Sequence, residues 1–456
     1  MIQTVRKAWA IPELQKKIIF TCFMLLLFRL GNAIPVPYVD ADALAESIAS
    51  MGTTVLGLYN VMSGGAFAMA TLFALGVQPY INASIIIQLL TIAIPALERI
   101  AKEGGEEGRK KIASITRYTT VGIALLQGFG YYMLMKNWGI LTNEGIWAAL
   151  VIIVSFMAGS SLVMWMGEQI TEFGIGNGIS VILFAGIISR IPAAVSNMAE
   201  GVKLWSAERA GEISAEMMVE AGYTEETAQS YMDQAISPWG IALLLVGVLA
   251  LVVLITFVNG AERRIPVQYA KRQVGRRMYG GQSSTLPMKV NMSGVLPIIF
   301  AQSIAMLPAT IMAFTGVGPE GSFSYGLSQF IDTQSVLYMI VYFLMIIGFS
   351  YFYATIQFNP IEISNNLKKQ GGFIPGFRPG KPTSDFIARV LKNVTLFGAI
   401  YLGIVALCPL LLGKVISNAS LSIGGTSVII VVGVVLETVR SLENQMMMRQ
   451  YKGFLE

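Results

Sequence analysis

Long apolar stretches separated by short polar or charged ones set the pattern of this chain. A membrane-spanning helix needs roughly 20 mostly apolar residues. Ten runs of about that length stand out, at 18–37, 76–96, 118–135, 147–167, 175–194, 239–258, 294–314, 336–356, 393–412 and 423–439. Most are rich in Gly, Ala and Ser, which let helix backbones approach closely in lipid. The pattern predicts ten spans. The first run has no clean small-residue cleavage site, so it reads as a retained span rather than a signal peptide.

Composition supports lipid as the solvent. Of 456 residues, 54% are apolar and 13% charged, and the mean hydropathy is +0.63. Soluble domains carry about 25% charged residues, so there are too few here to cover a soluble surface. The positions of Lys and Arg add orientation. Alternate loops and both tails hold 26 of the 32 basic residues. By the positive-inside rule these segments, and both termini, are expected on the cytoplasmic side.

The same count constrains residues 57–75, GLYNVMSGGAFAMATLFAL, which are nearly long enough to span. A full crossing there would put the later basic loops outside. Asn60, Ser63, Gly64 and Gly65 also make it a poor span. Two placements fit the residues: a helix half-inserted from outside within a protein cavity, or an amphipathic helix at the interface.

An internal echo refines the architecture. Residues 76–86, GVQPYINASII, and 294–304, GVLPIIFAQSI, agree at six of eleven positions. Residues 178–186, GISVILFAG, and 425–433, GTSVIIVVG, agree at five of nine. Spans 2 and 5 thus match spans 7 and 10. Each repeat has an odd number of spans, so the halves must be inverted, and inverted repeats place a pathway at their interface. The expected fold is an all-α polytopic membrane protein: ten transmembrane helices in two inverted five-helix halves. The halves fall at 1–194 and 239–439, with an external loop at 195–238 and a tail from 440 to 456. The repeated faces carry Val77, Ile81, Ile179 and Leu183 in one half, and Ile299 and Ile430 in the other.

Charge within the spans changes the functional picture. The spans are almost free of ionisable residues; Arg29 is the clear exception. An ion-coupled transporter, the main alternative for a five-plus-five repeat, would place acids at midplane. A waist of Ile, Val and Leu suits a hydrophobic constriction instead. The chain has no His, which removes imidazole metal sites and Ser-His triads. Cys22 and Cys408 lie in apolar runs and read as buried small hydrophobes.

Two basic loops exceed what topology requires. Loop 259–293 holds seven basic residues against Glu262 alone, among them Lys271, Arg272, Arg276 and Arg277. Loop 357–392 presents Arg378 in a Gly- and Pro-shaped turn. Arginine in such settings suits phosphate or carboxylate partners, as in RNA or an acidic protein surface, while anionic lipid accounts for most of these charges singly. The external segment 195–238 is acidic and reads as short amphipathic helices.

Long motifs then point to a family. FRLGNAIPVP, NVMSGGA, ALGVQPYINASIIIQLL, GEQITEFGIGNGISVI, YAKRQVGRRMYGGQSSTLPMKVNMSGVLPIIFA, FNPIEISNNLKKQGGFIPGFRPG and GGTSVIIVVGVVLE occur in order along the chain. The sequence resembles the SecY family of protein translocation channels over nearly its whole length. That resemblance implies a protein-conducting channel in the bacterial cytoplasmic membrane, without enzymatic turnover or cofactor, passing unfolded polypeptides and signal sequences and releasing apolar segments into membrane lipid. It implies that Val77, Ile81, Ile179, Leu183, Ile299 and Ile430 match the pore ring. Residues 57–72 look like a half-inserted plug helix, and spans 2 and 7 like a lateral gate with Gln88 and Asn291 as its polar candidates. Arg276, Arg277 and Arg378 match basic positions used with the motor ATPase SecA or the ribosome, and Lys271 and Arg272 join them as candidates. SecE and SecG are the implied partner subunits. Segment 195–238 is longer than the usual family loop.

Overall fold

In the computed structural model, the described residues are 2–50, 55–210, 214, 217, 235, 237–269, 272–274, 277–279, 283–292, 294–315, 335–416 and 424–452. Each of the ten apolar runs contains a helix. The N-terminal part holds α1 (Ile2–Trp9), α2 (Pro12–Gly31), α3 (Ala41–Ser50), α4 (Val55–Met62), α5 (Gln78–Ala93), α6 (Pro95–Glu103), α7 (Gly105–Asn137), α8 (Ile146–Phe173), α9 (Gly178–Ile188) and α10 (Ile191–Arg209). The C-terminal part holds α11 (Pro238–Gly260), α12 (Leu296–Thr315), α13 (Val336–Gln357), α14 (Pro360–Lys369), α15 (Lys381–Ile416) and α16 (Gly424–Lys452). Most of the external segment beyond α10 lies outside the described residues.

Local chemistry explains the helix starts. Asn177 caps α9 by accepting from the Ile179 and Ser180 amides, and Ser237 caps α11 by accepting from Gly240 N at 3.1 Å. Proline at the second helical position opens both α5 and α12, where its missing N–H would be unpaired anyway. A second proline, Pro95, ends α5: the chain turns by 105° into α6, because a residue before proline is driven out of the helical region.

Burial identifies the solvent. Among the described residues, five helical stretches are long and apolar enough to cross a membrane: Ile146–Phe173, Gly178–Arg209, Pro238–Gly260, Val336–Lys369 and Lys381–Cys408. The bent pair α5–α6 makes a sixth if taken as one span. The most apolar of the five, α11, buries only 11% of its apolar window, whereas the least apolar, in α15, buries 50%. Water would impose the opposite order. Lipid imposes none, and leaves helix packing to close contact and small residues.

The hydrophobic pattern did not predict strands, yet both basic loops form them. β1 (Glu262–Tyr269) pairs antiparallel with β4 (Ser283–Lys289) and with β5 (Gly372–Phe373), giving the order β4-β1-β5. β2 (Arg272–Val274) and β3 (Arg277–Tyr279) pair antiparallel in a separate short ribbon. Ile265, Val267 and Met288 point from the sheet into a small core with Leu367 of α14 and Ile387 of α15. Lys289, at the end of β4, has its pKa lowered by partial burial and by the charge of Arg440, against the pull of Glu262 and Glu437.

Candidate functional site

The largest described core joins both halves. It contains Val77, Ile81, Leu183, Ile299 and Ile430, each at most 4% exposed, with Ile179 packed against it. The six aliphatic positions read from the sequence repeat therefore share one cluster. Four of them, Ile81, Ile179, Leu183 and Ile299, line a single cleft of about 430 Å³. These four come from α5, α9 and α12, elements of both repeats.

Leu296 and Phe300 extend the apolar lining, and most of the remaining lining residues are polar. Tyr80, Ser84, Gln88, Asn177 and Ser180 contribute to its wall. So do Arg117 and Glu168, whose Nε–H donates to Oε1 at 2.8 Å and ties α7 to α8. The lining thus combines an aliphatic wall with polar and charged groups.

Residues 57–76 pack beside this wall. Only α4 is helical; a series of turns follows it. The polar residues of NVMSGGA build that reversal by bonding to nearby backbone. Asn60 Oδ1 accepts from Ala68 N at 3.0 Å, Ser63 Oγ accepts from Phe67 N at 3.0 Å, and Gly65 N donates to Asn60 O at 2.9 Å. Gly64 and Gly65 adopt φ of +72° and +91°, which residues with a Cβ adopt only under strain. A Cβ on Gly186 of α9 would lie 2.9 Å from Met62 O, so the end of α4 lies backbone to backbone on α9. Rings extend the seat: Tyr59, Phe67, Tyr131 and Phe156 follow one another at centroid distances of 5.1, 4.3 and 5.0 Å. Tyr131 also donates its hydroxyl to Phe67 O.

The remaining sequence candidates scatter. Gln88 sits in the cleft on α5, and its Oε1 is buried without a partner. Asn291 lies elsewhere, donating to Asn259 Oδ1 at 2.9 Å and Gly294 O at 3.1 Å. Arg440 donates to Asn259 O at 2.7 Å, so this network binds α11, the approach to α12 and α16. Arg378 is exposed on the turn after β5, where Gly376 and Gly380 take φ of +88° and +105°. Thr383 Oγ1 donates to Arg378 O and Ser364 Oγ to Gly380 O, both at 2.8 Å. Lys271 and Arg276 lie outside the described residues, as do the side chains of Arg272 and Arg277.

Sequence reasoning missed two features. The Arg117–Glu168 pair joins residues 51 apart, a separation that carries no local signal. Gln78, at the head of α5, bonds to both Met62 and Ser303. Its signal was present: it is a position where the internal repeat disagrees, facing Leu296 in the second copy.

A multi-pass helical bundle with an aliphatic-walled cleft shared by two repeats defines a membrane conduit. Comparison with known proteins is consistent with that class and makes it specific. The SecY family model matches residues 71–439. The protein translocase subunit SecY of Streptomyces scabiei is 41% identical over 468 aligned residues, covering 100% of each chain. That of Mycobacterium tuberculosis H37Rv is 41% identical, covering 97% of each. A solved structure described as that of a protein conducting channel aligns with TM-score 0.62 at 17% identity, over 95% of this chain and 92% of the other. Sec61 in a canine ribosome-channel complex aligns with TM-score 0.58 at 16% identity, over 95% and 92%. The chain belongs to the SecY family, as its motifs suggested, and its function is that of a non-enzymatic protein-conducting channel.

Proposed function

We propose that unfolded polypeptides pass through the ring of Val77, Ile81, Ile179, Leu183, Ile299 and Ile430, which closes around the moving chain. The observation that carries this is the single cleft lined by aliphatic side chains from both repeats. An aliphatic ring holds no ion in place and excludes water when narrow, so it seals without selecting. Residues 57–72 act as the plug. α5 and α12, which pack directly on each other, are the two sides of the gate through which apolar segments leave for lipid. Gln88 serves on that gate from the cleft side, and Asn291 from the network at the approach to α12.

The energy comes from partners. The basic loops, with Lys271, Arg272, Arg276, Arg277 and Arg378, face the cytoplasm and dock SecA or the ribosome. SecE and SecG complete the channel in the bacterial cytoplasmic membrane, with both termini inside. Docking at Arg378 is supported by its exposure on a turn held in shape by glycine and two hydroxyl bonds.

Site-specific crosslinking of a stalled secretory chain tests the path. Photoreactive residues at positions 81 and 299 should both label the chain in transit. Labelling of lipid alone would remove these positions from the pathway.

A further inference from the structure

Gln78 is 4% exposed and connects three parts of the molecule. Its Nε2 donates to Met62 Sδ, the last residue of α4, at 3.1 Å. Its Oε1 accepts from Ser303 Oγ on α12 at 3.3 Å. A buried amide left without partners is unfavourable, so both contacts are retained while the helices stay together. The thioether is a weak acceptor, which makes Met62 the looser of the two. Among the described residues, the other polar contacts of residues 59–72 reach 32–36, α7 or the segment itself.

We propose that Gln78 is a positioning residue that makes the seating of α4 depend on the spacing of α5 and α12. The Met62 sulfur can only accept, so Nε2 faces α4 and Oε1 faces α12, and the Ser303 hydroxyl, donating to Oε1, holds the amide in that setting. Withdrawal of α12 removes that restraint. The terminal torsion of a Gln side chain is broad and roughly two-fold, so the amide then turns away and α4 loses a tether. This rests on the reading of 57–72 as the plug and of α5 and α12 as the gate.

The test uses the full chain in membrane vesicles, with the native cysteines replaced and a reporter Leu56→Cys on α4. Its labelling by a water-soluble maleimide reports release of α4. Ser303→Ala should speed labelling about three- to tenfold, the effect of one hydrogen bond, and Ser303→Thr, which keeps the hydroxyl, should restore the parent rate. In a Gln78→Met background, Ser303→Ala should add nothing. An unchanged rate in Ser303→Ala, or the same acceleration with and without Gln78, overturns the proposal. The crosslinks at 81 and 299, measured in the same parent, separate the two failures. Their loss would sink the channel path itself, while their presence with no effect of Ser303→Ala would sink only the coupling.

Discussion

The two repeats begin alike and are finished differently. Gly76 and Gly294 occupy matching positions with left-handed backbones, at φ +54° and +64°, and each leads into a helix with proline second. Beyond that start they diverge. In the N-terminal half, backbone meets backbone: a Cβ on Gly159 would sit 1.8 Å from Leu72 O. In the C-terminal half, a Cβ on Gly433, the repeat partner of Gly186, would meet the side-chain methyl Val295 Cγ2 at 2.0 Å, while Gly398 again meets backbone, its Cβ lying 2.5 Å from Val290 O. The loops diverge too, with a helix and a sharp bend after α5 but a β-sheet and a shaped Arg turn in the second half. The N-terminal half is built to hold residues 57–76 rigidly. Its counterpart carries the β-sheet and the exposed Arg378 turn instead.

That division can be broken by substitution. The largest effect belongs to the C-terminal half: Arg378→Glu should slow energised export about tenfold or more, the scale of reversing a contact charge, while the purified protein keeps its melting temperature. Normal export by this variant would leave the loop only its topological charge. Next comes Gly159→Ala, which forces the Leu72 carbonyl to move; overpacking of this kind costs about 1–3 kcal/mol and should lower the unfolding temperature in detergent. Gly433→Ala is its control and should change that temperature little. Equal losses at 159 and 433 would erase the contrast between the halves. The smallest is Tyr131→Phe, which strands the buried Phe67 carbonyl at a cost of about 1 kcal/mol. It should raise maleimide labelling at Leu56→Cys without altering export of a strong substrate.

Apolar runs revealed where the helices lie, because a bilayer enforces a long, nearly uncharged segment. Their ends were less legible. α7 starts at Gly105, well before the run at 118, since GRKKIASITR continues the helix outside lipid. The strands had a signal that the basic charge masked: Ile265 and Val267 alternate inward along β1, a period of two. That the six aliphatic positions gather in one core was readable through the repeat, which registers two distant segments against each other. Asn291 and Gln88 were paired only by type. Hydrogen bonding to Asn259 depends on how α11 and α16 meet, and no spacing in the chain encodes that.

The uncharged wall made by Ile81, Ile179, Leu183 and Ile299 has a bearing on recognition. In the proposed ring, bare hydrocarbon gives no side chain of a passenger a preferred partner, so the ring itself cannot tell one cargo from another. On that reading, choosing what enters falls to the polar groups of the cleft or to whatever delivers the chain.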